Sequence, residues 1–126
     1  MPHLPYLGVA MAILTFTSGA ASSAGDNTLV AAPGAGLRIC PVMIIAQNNT
    51  TTADTLILYD GANTDTRKIM TVLAQSQGDG ITVNCNFNGD DGETYQIKLT
   101  ANKALVLNKA QAVATNYSVW YYVESV

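Results

Sequence analysis

The chain is poor in histidine and cysteine, two of the side chains that most often act as a catalytic base or nucleophile. Its only histidine is His3, near the start of the chain, and its only thiols are Cys40 and Cys85. Enzymes that use an activated nucleophile need a base, most often a histidine, held in place beside it. A residue at the extreme of a chain is rarely held so firmly. The sequence therefore predicts no catalytic residue and a protein that is not an enzyme.

The two cysteines are too few for a disulfide framework, and they lack the histidine or cysteine partners of a zinc site. Cys85 falls on the apolar side of an alternating stretch, residues 81–87 (ITVNCNF). Because free cysteine is commonly buried, we interpret Cys40 and Cys85 as buried free thiols. A disulfide between them is the alternative.

Oxygen donors cluster in residues 86–93 (NFNGDDGE), which include two aspartates and a glutamate. Such oxygens are the ligands that calcium prefers. The segment does not fit an EF-hand loop, because Ile97 stands where the bidentate glutamate would fall when counting from Asn86. We interpret it as a solvated hairpin loop, with a cation site as the alternative. No metal and no cofactor is predicted.

The composition is unusually poor in charge. Apolar residues make up 48% of the 126 residues and charged residues 12%, about half the usual charged share of a soluble domain. Such a surface is expected to be partly covered by neighbouring molecules. Six Lys and Arg against nine Asp and Glu give a net charge of −3, without a basic run. Nucleic-acid binding depends on cations that neutralise phosphates, so nucleic acid is not a predicted partner.

The chain begins with an apolar run, residues 4–16, followed by small residues at 18–23. This pattern is similar to the hydrophobic region and cleavage zone of a secretory signal, but no Lys or Arg precedes it, and Pro2 and Pro5 favour extended backbone. The run is shorter than the ~20 residues that span a bilayer, so no membrane association is predicted. We interpret residues 1–25 as an extended arm that docks on its own sheet or on a neighbour, and residues 26–126 as the domain. A signal peptide is the alternative.

The rest of the chain reads as short apolar runs separated by Gly, Asn, Asp and Thr clusters, which is typical of a β-sandwich or barrel. Strands are predicted at residues 27–32, 37–47, 55–59, 68–74, 81–87, 94–99, 105–108 and 117–124. Each alternating strand offers one apolar face for burial. Pro41 cannot donate to a ladder, so residues 37–47 must carry a bulge or lie at an edge there. The predicted fold is all-β: an antiparallel two-sheet sandwich or jelly-roll-like barrel with an extended N-terminal arm.

The last predicted strand is bulky on both faces. One face carries Tyr117, Val119, Tyr121 and Val123, and the other carries Trp120 and Tyr122. Only one face can be core, and aromatic residues are enriched at interfaces. The candidate interface residues are therefore Trp120 and Tyr122 in this strand and Leu4, Tyr6 and Leu7 in the arm. A carbohydrate-stacking platform is the alternative for the aromatic face.

Several segments resemble small β-rich virion proteins of tailed phages and prophages. The opening of the domain carries residues 24–32 (AGDNTLVAA) and 36–39 (GLRI), and its middle carries residues 56–61 (LILYDG). The ending carries residues 102–110 (NKALVLNKA) and 119–124 (VWYYVE). The resemblance covers about residues 24–124; the apolar extension and the loop at 48–52 depart from it.

This resemblance implies a non-catalytic capsid decoration or cement subunit on the outer surface of the phage head. Its partners would then be the major capsid protein and other copies of itself, most simply as a homotrimer at three-fold junctions. Two alternatives stay open: a tail or fibre appendage or receptor-binding module, and a secreted surface or pilus subunit.

Overall fold

The structure is a computed structural model that describes residues 13–63, 67–88 and 90–126. Within this part the chain forms ten strands and no helix. The strands are β1 (Thr15–Ala21), β2 (Gly25–Val30), β3 (Leu37–Asn48), β4 (Asp54–Asp60), β5 (Lys68–Ala74), β6 (Gly80–Asn84), β7 (Asn86–Asn88), β8 (Thr94–Gln96), β9 (Leu105–Lys109) and β10 (Thr115–Ser125).

Eight of the strands form two antiparallel four-stranded sheets. The front sheet has the order β1-β10-β3-β6, the back sheet has the order β2-β9-β4-β5, and β7 and β8 form a separate hairpin. When the hairpin is left out, the strands pair from the two ends of the chain towards its middle. β1 pairs with β10, β2 with β9, β3 with β6, and β4 with β5. This is one long antiparallel ribbon wound around a core, as in a jelly roll. The predicted all-β two-sheet sandwich is confirmed.

The core lies between the sheets and is built from alternate residues of each. In β4 every second residue is buried, so Leu56 and Leu58 point inward and have no exposed surface. Ile44 of β3 and Val119 of β10 supply the same layer from the front sheet. A strand with one buried face stabilises this arrangement because a slip of one residue would expose its whole apolar set.

The central strand β3 carries the irregularity that Pro41 requires. Trp120 pairs with Met43 and Tyr121 pairs with Pro41, so Val42 bulges out of the ladder between β3 and β10. Pro41 is accommodated next to this bulge, where the pairing of β3 with β6, which runs from Met43 to Gln47, has already ended. The bulge alternative is confirmed.

Two predicted strands are shorter than expected. Residues 81–87 are divided at Cys85 into β6 and β7, and of residues 94–99 only the first three form β8. The backbone N–H of Cys85 donates to the Val42 carbonyl at the bulge, and the N–H of Ile97 donates to the Cys85 carbonyl. The chain leaves the front sheet at Cys85, forms the β7–β8 hairpin, and returns to the sheet at Ile97. For this reason the two predicted strands, residues 81–87 and 94–99, are both interrupted.

The front sheet begins inside the segment that the sequence assigns to the arm. All seven residues of β1 pair with β10, from Thr15 opposite Tyr121 to Ala21 opposite Thr115. Ala21 is buried in the core. The docking of this segment on its own sheet therefore begins by Thr15, and the sandwich includes residues on both sides of the predicted boundary at residue 25.

Candidate interaction surface

The outer face of the front sheet carries a row of apolar side chains across three strands. Val119 of β10 points into the core, so the next residue, Trp120, points outward. Its register partners are Phe16 on β1 and Met43 on β3. The rings of Phe16 and Trp120 contact each other, with centroids 4.9 Å apart and an interplanar angle of 49°. We name Phe16, Trp120 and Met43 the aromatic row.

The aromatic row is partly open to solvent. Phe16 is 53% exposed, and Trp120 and Met43 are half-buried. The two residues before β1, Ile13 and Leu14, are 76% and 60% exposed. Large apolar side chains that lie together at a surface mark sites of contact with other molecules.

No charge interrupts the row or the next row of the same face. The aromatic row continues to Asn84 on β6, and the next row consists of Ser18, Ser118, Ile45 and Thr82. An uncharged face can be buried against a partner without the desolvation cost that charged groups incur. The tertiary structure thus places Trp120, a predicted interface residue, at the centre of a suitable surface.

Tyr122 lies on the same outer face but has its own partner in the monomer. Its hydroxyl donates to Oε1 of Gln96 at 2.8 Å, and the ring is half-buried. It is therefore a less open contact residue than Phe16. The other predicted interface residues, Leu4, Tyr6 and Leu7, lie outside the described residues.

A charged cluster borders this face where β10 ends. Oε2 of Glu124 accepts from Nε of Arg38 at 2.7 Å and from Nζ of Lys98 at 3.0 Å. The hydrogen bonds from Lys98 and Arg38 lower the pKa of Glu124, and the bonds to Glu124 raise the pKa of both cations. The Glu124 carboxylate thus binds two cations. It links β10 to Arg38 of β3 and to Lys98, which follows β8.

The two cysteines are not exposed at this surface. Both are buried and free, which confirms the prediction of buried free thiols. Burial raises the pKa of the Cys85 thiol to about 11. Burial, followed by the nearby charge of Glu124, also raises the pKa of Cys40. A thiol with a raised pKa and no access to solvent is a poor nucleophile.

Asp60 and Asp91 make contacts within the fold. The Asp60 carboxylate accepts from the backbone N–H and the hydroxyl of Thr100 and forms an ion pair of 2.7 Å with Nε of Arg67. Asp91, in the loop that was weighed as a cation site, accepts from the backbone N–H of Glu93. Among residues 13–63, 67–88 and 90–126, no three His, Cys, Asp or Glu side chains are grouped to hold a metal ion. His3 lies outside these ranges.

A cationic cleft of about 320 Å³ opens where β5 approaches the returning segment. Three of the chain's six Lys and Arg residues line it, together with one buried carboxylate and two isoleucines: Arg67, Lys68, Lys98, Asp60, Ile69 and Ile97. Two of the three cations are already paired, Arg67 with Asp60 and Lys98 with Glu124. Lys68 therefore contributes most to the charge of the cleft.

The sequence did not reveal a buried ion pair between Lys109 and Asp54. Lys109 of β9 and Asp54 of β4 have fully buried side chains, with Nζ 3.1 Å from Oδ2. This contact is an ion pair without an aligned hydrogen bond, since Oδ2 has no hydrogen-bond partner. The other oxygen, Oδ1, accepts from the backbone N–H groups of Ala110 and Gln111, both at 3.0 Å.

The Lys109 ammonium also binds the backbone of the loop between β9 and β10. Nζ of Lys109 donates to the carbonyl oxygens of Gln111 and Val113. The pair therefore fixes the loop between β9 and β10, and with it the position at which β10 starts. Its role is structural.

Phe16 and Met43 were also missed as surface residues. The alternation of residues 15–18 (TFTS) contains a signal for Phe16, but the long apolar run before it masks this period. Met43 lies in a run that is apolar at nearly every position, where alternation cannot assign a face.

No protein-family model matches the chain, and a search of curated proteins gives no significant match. In the part of the chain that the structure covers, no helix is long and apolar enough to cross a membrane.

Proposed function

We propose that this protein is a non-catalytic structural subunit of a phage virion that decorates the outer surface of the head and stabilises the assembled shell. The observation that supports the proposal is the exposed aromatic row and the uncharged row beside it on the outer face of the front sheet. The resemblance to small virion proteins supplies the location and the partner, the major capsid protein.

The mechanism is stabilisation by binding. A subunit that binds the assembled shell and not its separated parts lowers the free energy of the assembled state by an amount that grows with its concentration relative to its dissociation constant. Trp and other aromatic residues at the centre of an interface often supply most of the binding free energy. Phe16 and Trp120 are the residues placed to do this.

The partners also include other copies of the same chain. The resemblance implies three copies around a three-fold junction, and closed rings of this kind leave no open binding site. The half-buried Trp120 would gain cover in such a ring or against the shell. The number three comes from the resemblance, whereas association is supported by the exposed row.

The experiment measures binding of the purified protein to phage heads assembled without it, by co-sedimentation. Phe16→Ser should weaken binding roughly 30-fold, which corresponds to a contact residue worth about 2 kcal/mol. Leu73→Ser is the matched control, because Leu73 is 61% exposed but lies on the back sheet. Equal binding by both variants and the unaltered protein would contradict the proposal, as would failure of the unaltered protein to bind heads.

A tail or fibre appendage that binds the host surface is a second candidate, and the cationic cleft favours it. A cleft with a lysine and apolar walls suits an acidic sugar unit, whose carboxylate would meet Lys68. Oligogalacturonate and its neutral methyl ester are suitable probes in calorimetry. This candidate requires binding of the acid form alone and its loss in Lys68→Glu. Absence of binding to both would reject the candidate.

A further inference from the structure

The four edge strands of the sandwich differ in how well they are protected against pairing. β2 carries Asp26 and a bulge between Thr28 and Val30, and β5 begins with Lys68. Charges and bulges on an edge prevent other strands from adding to it. β6 has five residues, and the segment that returns at Ile97 continues its side of the front sheet.

β1 is the exception. Its seven residues (TFTSGAA) contain no charge and no proline, and it forms the outer edge of the front sheet. Among the described residues no strand pairs with the side of β1 that faces away from β10. The exposed side chains of Ile13, Leu14 and Phe16 lie in and before this strand. An edge of this kind is a template for strand addition.

We propose that β1 pairs antiparallel with β1 of a second copy of this chain, about a two-fold axis at Ser18. Centring the pair on Ser18 lets all seven residues of both strands overlap. Phe16 then lies opposite Ala20 of the second copy, and Thr17 opposite Gly19. A large side chain faces a small one, and no like charges meet, so the strand is complementary to itself.

The pairing joins two front sheets into one sheet of eight strands. Directly opposite residues in an antiparallel pair point to the same side, so the aromatic rows of both copies lie on one continuous face. The contact uses the edge of β1 and not the outer face, and it therefore goes beyond the proposed binding to the shell. It is also compatible with a three-fold contact made by the face, because edge and face are separate surfaces.

Site-specific disulfide formation tests both the contact and its register. Opposite Cα atoms in an antiparallel pair are roughly 4.5–5.5 Å apart, which lies within the range that a disulfide spans. Ser18→Cys should therefore form a covalent dimer under mild oxidation. Thr82→Cys is the matched control, because Thr82 is exposed on the same face at the opposite edge. The native thiols are buried and should not interfere.

A charge at the same position gives the second readout. Ser18→Lys places two ammonium groups opposite each other and should weaken self-association at least 10-fold in sedimentation equilibrium, while Thr71→Lys, on the exposed edge strand β5 of the back sheet, should leave it unchanged. Cross-linking of Ser18→Cys no faster than that of Thr82→Cys would overturn the pairing, and so would equal association of the two Lys variants. Binding of the unaltered protein to heads is measured separately by co-sedimentation, so failure of this contact and failure of the proposed function can be told apart.

Discussion

The buried ion pair between Lys109 and Asp54 should be asymmetric in its contribution to stability. In Asp54→Ala the buried ammonium loses its countercharge, the backbone N–H of Gln111 loses its acceptor, and the N–H of Ala110 keeps only its longer 3.3 Å bond to the Thr55 carbonyl. In Lys109→Met the carboxylate keeps both of those N–H donors, and the Met side chain fills most of the space of the Lys stem. We therefore expect Asp54→Ala to lower the free energy of unfolding more than Lys109→Met does, although Asp54 is the smaller side chain.

The magnitude follows from these contacts. Removing one member of a buried ion pair costs about 3–5 kcal/mol, and losing a hydrogen bond to a charged acceptor adds about 1.5–3 kcal/mol. Asp54→Ala should therefore lower the free energy of unfolding by about 5 kcal/mol, and Lys109→Met by about 3 kcal/mol. A domain of this size has a total of roughly 5–15 kcal/mol, so Asp54→Ala should be near the limit of folding at 25 °C.

Urea unfolding followed by the fluorescence of Trp120, the single tryptophan, measures both variants. Asp26→Ala is the matched control, since Asp26 is an exposed carboxylate that also accepts from one backbone N–H and one side chain. It should cost less than about 1 kcal/mol. The double variant of Asp54 and Lys109 should be more stable than the sum of the single effects predicts. A larger loss in Lys109→Met than in Asp54→Ala would refute the reasoning, because it would mean that the loop amides do not depend on the carboxylate.

Replacing Gly80 by Ala should lower the free energy of unfolding by about 1–3 kcal/mol or more. The added Cβ would lie 1.9 Å from the carbonyl oxygen of Ala46 and must push β6 away from β3. An unchanged urea midpoint would contradict this. Acid should weaken the fold through Glu124, whose pKa is lowered from its ordinary 4.5 by the bonds from Lys98 and Arg38. This stabilisation is fully present above 4.5 and is lost as the pH falls through the lowered value, so Glu124→Gln should flatten that part of a stability-against-pH curve; an identical curve would count against the cluster. Deleting residues 1–24 should lower the melting temperature, because it removes β1 and its seven pairs with β10, whereas deleting residues 1–12 should not. Equal melting of the two truncated chains by circular dichroism would show that β1 contributes nothing to the sandwich.

Most strands could be predicted from the sequence because the features that define them lie within short segments of the chain. Where a strand buries one face, as in residues 54–60, apolar and polar residues alternate along the chain itself, and turn residues mark the ends. The bounds of β5 agree with the prediction at both ends. The bulge at Pro41 was also predictable, since a residue without an N–H cannot complete a ladder in a central strand.

The strand β1 was not predicted, for a physical reason. Its partner β10 lies about a hundred residues away along the chain, as the pairing of Thr15 with Tyr121 shows. The small residues at 18–23 have no strong strand preference of their own, and the apolar run before them hides the alternation of residues 15–18. Pairing with a distant strand supplies the order that the local sequence does not specify.

By itself the sequence determined the all-β class, the buried thiols and the bulky character of β10, because burial period, turn chemistry and side-chain volume are properties of short segments. Only the tertiary structure decided which face of β10 is open, that Phe16 and Met43 complete a row with Trp120, and that Asp54 is the countercharge of Lys109. Each of these depends on the register between strands far apart in the chain. Register is set by the fit of whole sheets around one core, and a single strand carries no record of its partners.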